Sequence, residues 1–301
     1  MTTAPKHALV EAIVSFLGSQ DLLDRGDVRA ALEREIDRDG PESLVALMER
    51  LSTDDGLAYS PPDSLARRIH HLLAERFLTA ESRLVGAHHL AGVAGAPVVV
   101  VSNHLSYADA NVIEILLHRD GAELAERLTA LAGPKVFTSR ERRFSSLCFG
   151  TIKVPQSTDV SSEEAVLNAR EVARAARQAI QVAHERLAAG DGLVLFGEGT
   201  RSRGGRMQRM LPAVARYLEV PGTWVLPVGL TGPEALFPVG DTHLRATAVT
   251  LTIGAPMRAD ALRARACHDR RAIVDGIGLA VAAVLPPAYR GVYANGGRAE
   301  D

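Results

Sequence analysis

Two patterns of apolar and polar positions divide the sequence near residue 60. Before this point, apolar residues recur every three or four positions, which is typical of amphipathic helices. Beyond residue 90, short continuous apolar runs alternate with longer helical patterns. Such runs predict strands that are buried on both faces, as in largely parallel sheets. We predict an N-terminal helical subdomain over residues 1–60 and an α/β domain over residues 61–301, with a mixed, largely parallel sheet flanked by helices.

The same patterns predict individual elements. Five strands are predicted, at "APVVVVSN", "GTIKVP", "DGLVLFG", "TWVLPVGLTG" and "RATAVTLTIGAP". Helices are predicted between them, around residues 109–119, 161–189, 206–219 and 269–285. In the N-terminal part, Gly18 is expected to end the first helix and Pro41 to begin another.

A basic amphipathic helix is predicted at "DSLARRIHHLLAERFL", where Asp63 or Ser64 is a suitable N-cap. One face is apolar and the other basic, formed respectively by Leu65, Ile69, Leu72, Leu73 and Phe77 and by Arg67, Arg68, His71 and Arg76. Two locations of the helix fit this pattern. The helix can lie in a membrane interface, or it can pack its apolar face on the core, which is the commoner arrangement.

Charge and cysteine content narrow the class of protein. A formal net charge of −2 provides no overall attraction to nucleic acid, so we expect no nucleic-acid partner and at most a local anion site. Cys148 and Cys267 form no C-x-x-C pair, which favours packing residues in a reducing cytosol. No apolar run reaches the roughly 18–20 residues that cross a bilayer. We therefore expect a cytoplasmic protein with at most peripheral contact with the inner face of the membrane.

Candidate catalytic residues follow the first predicted strand of the α/β domain. In "VVVVSNHLSYAD", His104 comes just after the strand and Asp109 stands five residues later, where a helix is expected to start near Ser106. In open α/β sheets, ligands bind where strands end. Ser106 and Asp109 also match a capping box, which is a purely structural interpretation. The alternative is a general base with a carboxylate that orients it.

A second strand end leads into a glycine-rich loop, "GEGTRSRGG". Glycines let the backbone approach a ligand closely, and guanidinium groups suit phosphate. Between Gly199 and Leu218 the sequence has no acidic residue and five arginines, namely Arg201, Arg203, Arg206, Arg209 and Arg216. We predict a local anion site. A solvated basic helix face would explain Arg209 and Arg216, but less easily the arginines within the loop.

Two of the three lysines in the sequence, Lys135 and Lys153, lie between these strand ends. Lysine is a compact cation, so its use in an arginine-rich chain hints at a site that needs one. A surface position explains each lysine about equally well, since lysines are mostly exposed.

Four segments in this order, "NHLSYAD", "FGTIKVP", "FGEGTRS" and "VLPVGL", resemble the motif blocks of the phospholipid-synthesis acyltransferases. This family includes 1-acylglycerol-3-phosphate and glycerol-3-phosphate acyltransferases. The resemblance covers roughly residues 85–260. It implies that His104 is a general base, that Asp109 is its partner, and that Arg201 binds the acceptor phosphate with Lys135 in reach. The resemblance further implies that Glu198 helps to position the acceptor. Together with the residues singled out above, the candidate substrate-binding residues are Glu198, Gly199, Thr200, Arg201, Lys135, Lys153 and Arg203.

The resemblance implies transfer of a fatty acyl group from acyl-CoA or acyl-carrier protein to a hydroxyl, with 1-acyl-sn-glycerol-3-phosphate as the leading acceptor. A neutral imidazole, with an ordinary pKa near 6.5, suits proton abstraction at cytosolic pH. The reaction needs no metal and no redox cofactor. Two alternatives stay open: the same chemistry on glycerol-3-phosphate, a glycoside, an amino-lipid or a natural-product hydroxyl, and a non-catalytic lipid- or phosphate-binding protein.

The sequence departs from the family pattern at several points. Gly197 replaces the usual proline before the glutamate, and Gln156 stands after Pro155 where the second block usually carries an arginine. One phosphate ligand of the family is therefore absent from that block. A polar helical segment also stands where relatives often begin with membrane-embedded helices. These departures motivate the alternative acceptors.

Overall fold

A computed structural model describes residues 3–18, 25–52, 58–155, 169–238 and 243–296. Within these ranges the α-helices are α1 (Thr3–Gly18), α2 (Arg25–Ser52), α3 (Ser64–Phe77), α4 (Asp109–Arg119), α5 (Glu123–Glu126), α6 (Arg140–Ser146), α7 (Ala169–Ala188), α8 (Pro233–Leu236), α9 (Ala259–Arg265) and α10 (Arg270–Ala283). The strands are β1 (Tyr59–Ser60), β2 (Arg83–Val85), β3 (Val98–Ser102), β4 (Leu128–Ala132), β5 (Gly150–Lys153), β6 (Gly192–Phe196), β7 (Trp224–Thr231), β8 (Thr250–Ile253) and β9 (Met257–Arg258).

The strands form one mixed sheet in the order β1-β5-β4-β6-β3-β7-β8-β2, with β9 paired to β7. Strand β3 lies centrally and runs parallel to both of its neighbours, β6 and β7. Among the described pairings, those of β1 with β5, β7 with β8 and β7 with β9 are antiparallel, and the others are parallel. The predicted α/β class, with a mixed and largely parallel sheet flanked by helices, is confirmed.

The valine run of β3 shows why this strand is central. Val98, Val99, Val100 and Val101 have no exposed surface. Side chains alternate between the two faces of a strand, so Val98 and Val100 pack into one core and Val99 and Val101 into the other. The first core includes buried residues of α1 to α4, and the second includes buried residues of α7 and α10.

The N-terminal helices pack into the first core rather than apart from it. Helix α1 is described up to Gly18, its predicted end, and residues 19–24 lie outside the described ranges. Helix α2 has a kink at Gly40, whose φ of 82° is outside the helical region, and Pro41 begins the segment after the kink. Residues 53–57 lie outside the described ranges, and β1 already pairs with β5 at residue 59. The domain boundary at residue 60 stays a prediction.

The predicted amphipathic helix at residues 64–77 is α3, and Asp63 is its N-cap because its side chain accepts a hydrogen bond from the Ala66 N–H. Its apolar side chains are largely buried. Its arginines pair with neighbouring elements, Arg67 with Glu126 in α5 and Arg68 with Glu35 in α2. None of the described helices is both long enough and apolar enough to cross a bilayer.

The prediction of a helix over residues 206–219 is wrong. The structure has only a 3-10 helix at Pro212–Leu218. The preceding residues bond to distant segments instead of forming a helix: the Met207 N–H donates to the Tyr289 carbonyl, and the Leu211 N–H donates to the Gly197 carbonyl. Tertiary hydrogen bonds therefore replace the helical ones.

Several smaller predictions also need correction. Helix α4 spans Asp109–Arg119, as the prediction around 109–119 has it, so it starts at Asp109 rather than near Ser106. Strand β4 was not predicted, because its sequence, "LTALA", has no distinctive strand pattern. Cys148 is buried as predicted, but Cys267 is exposed. The helix predicted over 161–189 is confirmed from residue 169 onward as α7, and residues 161–168 lie outside the described ranges.

Candidate active site

The two strand ends singled out in the sequence are neighbours in the sheet. Ser102 at the end of β3 pairs in parallel with Phe196 at the end of β6. Two residues beyond these positions, the backbone N–H of His104 donates to Oε1 of Glu198 at 2.9 Å. The N–H of Ser202 donates to the His104 carbonyl at 2.8 Å. The histidine and the arginine-rich loop are therefore joined directly.

Asn103 explains why a polar pair ends the valine run. Its side-chain amide donates to the Leu230 carbonyl at 3.0 Å and accepts from the Leu230 N–H at 2.8 Å. Leu230 lies in β7, the other neighbour of β3. Asn103 thus binds to one neighbouring strand while His104 binds to the loop after the other. Both contacts fix the backbone from which the imidazole projects.

The imidazole of His104 is oriented by Asp109. Its Nδ1 lies 2.8 Å from Oδ2 of Asp109, a fully buried carboxylate. The same oxygen accepts the N–H groups of Leu105 at 2.6 Å and Ser106 at 2.9 Å. The His104 ring also stacks on Phe196, with centroids 4.2 Å apart. Since Nδ1 is bound to Asp109, Nε2 is the nitrogen that can take a proton from a substrate.

Glu198 holds the glycine loop to the histidine backbone. Its second oxygen, Oε2, accepts from the Gln208 N–H at 2.7 Å. The side chain is buried, and this desolvation raises the pKa of Glu198 to about 7, although the backbone hydrogen bonds from Gln208 and His104 lower it. The nearby charge of Asp109 contributes to the raised pKa. In the structure, both carboxylate oxygens bind backbone groups.

The pKa of Glu198, raised by burial, predicts a pH-dependent stability. Because the pKa of Glu198 is raised from 4.5 to about 7 on folding, the native state binds the proton more tightly. This contribution to stability is fully present below pH 4.5 and is lost as the pH rises to about 7. Glu198→Gln removes this pH-dependent contribution. It also leaves one backbone N–H facing an amide NH₂ group, which lowers the free energy of unfolding by about 1–3 kcal/mol. Chemical denaturation of both proteins at several pH values measures the difference.

We expect the stability advantage of the wild type over Glu198→Gln to shrink as the pH rises through this window. A difference that is constant across the window would contradict the raised pKa of Glu198.

Arg201 lies against Tyr107, three residues after His104. Its guanidinium carbon is 3.4 Å from the ring centroid of Tyr107, and Arg142 of α6 lies 5.0 Å from the same centroid. Burial lowers the pKa of Arg201, and the nearby charges of Arg142 and Arg203 act in the same direction. Two guanidinium groups therefore surround one aromatic ring beside the histidine.

Tyr107 and Arg142 were not predicted from the sequence. Tyr107 lies within the H-x-x-x-x-D segment itself, which was a usable signal. Arg142 is one of three arginines in "RERR", and nothing in that segment distinguishes it from Arg140 or Arg143. Only the packing of α6 brings it to Tyr107.

The remaining predicted residues occupy two places. Gly199, with a φ of 71°, and the exposed Thr200 and Arg203 lie in the same loop as Arg201. The exposed Lys135 lies in the 3-10 helix Pro134–Phe137, and its carbonyl accepts a hydrogen bond from Arg142. Nζ of Lys153, at the end of β5, is 4.8 Å from the ring centroid of Phe137. The two lysines are thus grouped around this 3-10 helix, not within the glycine loop.

A largely apolar cavity of about 510 Å³ adjoins Tyr107 and Arg142. Apolar side chains of α1, α3, α4 and α6 line it, including Leu9, Ile13, Phe16, Leu73, Val112 and Phe144. Its polar lining includes His70, whose pKa is lowered by burial to about 3, so its imidazole is neutral. The volume is in the usual range of small-molecule sites. The cavity suits an extended apolar group bound next to the arginine pair.

Residues 83–231 match the family model described as Acyltransferase. The matched segment runs from β2 to the end of β7 and contains His104, Asp109, Glu198 and Arg201. Residues 83–231 therefore form an acyltransferase domain, in agreement with the four motif blocks.

The fold is similar to the crystal structure of PlsC from Thermotoga maritima, described as a 1-acyl-sn-glycerophosphate (LPA) acyltransferase. The two chains are 19% identical, the match covers 92% of this chain and 94% of that chain, and the TM-score is 0.50. At this identity the likeness shows the fold alone. A comparison with curated proteins found no match.

Proposed function

We propose that this protein transfers a fatty acyl group from a thioester to a hydroxyl of a phosphate-bearing glycerolipid, with 1-acyl-sn-glycerol-3-phosphate as the leading acceptor. The observation that carries this proposal is the hydrogen-bonded junction of His104 with Glu198 and Ser202, which brings the His104–Asp109 pair next to Arg201. The acyltransferase domain of residues 83–231 supports the reaction class. The structural similarity to PlsC, a 1-acyl-sn-glycerophosphate acyltransferase, motivates the choice of acceptor.

In the proposed reaction, Nε2 of His104 takes the proton of the acceptor hydroxyl as its oxygen attacks the thioester carbonyl. The new C–O bond forms, the tetrahedral intermediate collapses, and the C–S bond breaks. The imidazolium then returns its proton to the leaving thiolate, so an ester and a free thiol are released. Asp109 holds the productive tautomer and stabilises the imidazolium, as the carboxylate of a catalytic triad does.

Arg201 and Arg142 are proposed to bind the acceptor phosphate together. Their positive charges lie around Tyr107, and among the described residues neither forms a close ion pair with a carboxylate, although the charge of Asp109 acts on Arg201 and that of Glu141 on Arg142. A phosphate dianion would relieve their mutual repulsion and form charge-assisted hydrogen bonds with both. Arg142 would then supply the second guanidinium that the motif block ending at Pro155 lacks. Lys135 also lies close to the proposed phosphate site, because Arg142 donates a hydrogen bond to the backbone carbonyl of Lys135.

The cavity is proposed to hold the acyl chain of the donor. Tyr107, three residues after the proposed base, lines it, and its walls are mostly aliphatic and aromatic. Helix α1 contributes part of these walls. The N-terminal helical segment would therefore complete the acyl site.

A variant that narrows this cavity tests that assignment. Ala12 of α1 lines the cavity but is otherwise exposed, so Ala12→Phe adds bulk without disturbing the core. We expect kcat/KM for long-chain donors to fall by roughly 10–100-fold while short-chain donors are little affected, because each buried CH₂ contributes about 0.8 kcal/mol. Activity measured with donors of increasing chain length shows this. Ser15→Phe, at an exposed position of the same helix outside the cavity lining, is the matched control.

An unchanged chain-length preference in Ala12→Phe would place the acyl chain elsewhere. An equal effect of Ser15→Phe would attribute the change to the helix instead of the cavity.

The function as a whole is tested with purified protein and a matrix of donors and acceptors. Acyl-CoA and acyl-carrier protein are each combined with lysophosphatidate, glycerol-3-phosphate, a glycoside and an amino-lipid, and the products are identified by mass spectrometry. We expect ester formation with lysophosphatidate. Esterification of another acceptor alone would favour the alternative substrates, and thiol release with none would favour a binding protein.

We also propose that the protein acts in the cytoplasm, in peripheral contact with the membrane that holds its lipid acceptor. Activity toward lysophosphatidate presented in vesicles, with part of the protein co-floating with them, is the expected result. Activity restricted to dispersed acceptor, with no protein on the vesicles, would contradict membrane contact.

A further inference from the structure

A second group of polar side chains lies outside the proposed active site, between α3 and α4. His71 projects from α3, and Glu114 and His118 stand one helical turn apart on α4. One nitrogen or oxygen atom from each side chain lies within 4.8 Å of the other two. The His71 and His118 rings are 4.1 Å apart. Two imidazoles and a carboxylate thus converge from two helices.

Glu114 is the unusual member of this group because its carboxylate is fully buried. Nε2 of His71 lies 2.9 Å from both of its oxygens, and Nε of Arg67 lies 3.7 Å from Oε1. An ionised carboxylate offers about four acceptor sites, whereas a neutral imidazole offers one N–H. A buried carboxylate is costly unless it is well paired. The charge of Glu114 can therefore support a further cation.

Arg67 competes with such a cation only weakly. Its Nε donates to the Cys148 carbonyl at 2.7 Å and its NH1 binds Oε2 of Glu126 at 2.6 Å. Nε stays 3.7 Å from Oε1 of Glu114, so Arg67 offsets part of the carboxylate charge without a hydrogen bond to it. His71 is the group at hydrogen-bond distance from both Glu114 oxygens, and the His118 ring lies beside that of His71.

The group is also open to solvent on one side. The His118 side chain is 46% exposed and that of Glu126 is 58% exposed. Oε1 of Glu126 lies 3.3 Å from Nδ1 of His118, so it is in reach of an ion bound there. An ion can therefore enter from solvent, and an oxygen of Glu126 can serve as its fourth ligand.

We propose that His71, Glu114 and His118 bind a zinc ion, with Glu126 or water as the fourth ligand. Imidazole and carboxylate are ligands that zinc prefers, in tetrahedral geometry. Zinc–ligand distances of about 2.0–2.2 Å put neighbouring ligand atoms roughly 3.3 Å apart. The ligand atoms lie within 4.8 Å of one another, so binding requires side-chain rotations that bring them closer, at the exposed His118 and Glu126.

Such an ion would be structural. It would link α3 to α4, the helix that begins with Asp109, and it takes no part in the acyl-transfer steps. The acyl-transfer chemistry expected from the sequence needs no metal, and the proposed site leaves that expectation unchanged.

The test uses zinc itself and the full-length protein, treated first with a chelator. Competition with a chromophoric zinc indicator is expected to show one tight equivalent. His118→Ala changes an exposed position that the fold tolerates. It should weaken zinc binding by at least about 10–100-fold, because mutating residues that only hydrogen-bond to metal ligands already costs this much affinity. His71→Ala should act similarly. Zinc should also raise the Tm of the wild type, because it binds only the folded state.

The control is the double variant His88→Ala, His89→Ala. This pair of rings is also 4.1 Å apart but lies outside the group. We expect it to keep wild-type zinc binding. Zinc binding by His71→Ala, His118→Ala that equals the wild type, or an equal loss in the His88, His89 control, would overturn the proposal. These readouts do not depend on acyltransferase activity, so they fail or succeed independently of the proposed function.

Discussion

Replacing His104 by alanine is expected to reduce the rate of acyl transfer by at least about 10²–10⁴-fold, the usual contribution of general base catalysis. The variant has no group at the position of Nε2 to accept the proton of the acceptor hydroxyl. Its fold should survive, because the backbone contacts of residue 104 with Glu198 and Ser202 do not involve the side chain. Initial rates with saturating donor and acceptor measure the effect.

The matched control is His89→Ala, a histidine outside the site, which should retain full activity. The circular dichroism and the Tm of His104→Ala should stay close to those of the wild type. A well-folded His104→Ala variant with wild-type kcat would remove the imidazole from the mechanism.

Arg201→Ala is expected to raise the KM for the acceptor by roughly 10–100-fold, because a hydrogen bond to a charged group contributes about 1.5–3 kcal/mol. The KM for the acyl donor should change little, since the proposed donor site is the apolar cavity. Steady-state kinetics with each substrate varied in turn separates the two constants. Arg142→Ala should act in the same direction.

Arg209→Ala is the matched control for these variants, because Arg209 is exposed and follows the same loop. It should leave both constants unchanged. An equal rise in the two KM values of Arg201→Ala would contradict a role in phosphate binding.

Much of the sheet could be predicted from the sequence, because short continuous apolar runs are typical of buried strands. The four valines of β3 are buried on both faces, as the run predicted. By contrast, the helix predicted over 206–219 fails because Met207 and Leu211 bond to distant backbone groups. Those partners are invisible in a local window of sequence.

The candidate site was predictable in part from the geometry of the predicted sheet. Parallel strands place their carboxyl ends at one edge, so His104 and Glu198 could be expected near each other. That β6 lies directly beside β3, and that Glu198 binds the His104 backbone, required the structure. Arg142 and the cavity depend on how α6 and α1 pack, and no motif records this packing.

The most direct test of the central claim compares two acceptors that differ only in the phosphate, lysophosphatidate and the corresponding monoacylglycerol. The wild type is expected to prefer the phosphorylated acceptor by roughly 10–100-fold in kcat/KM, consistent with a lost charged hydrogen bond. Arg201→Ala should lose most of this preference while it retains His104-dependent turnover. A variant that discriminates between the two acceptors as strongly as the wild type would show that Arg201 and His104 do not act on the same bound substrate.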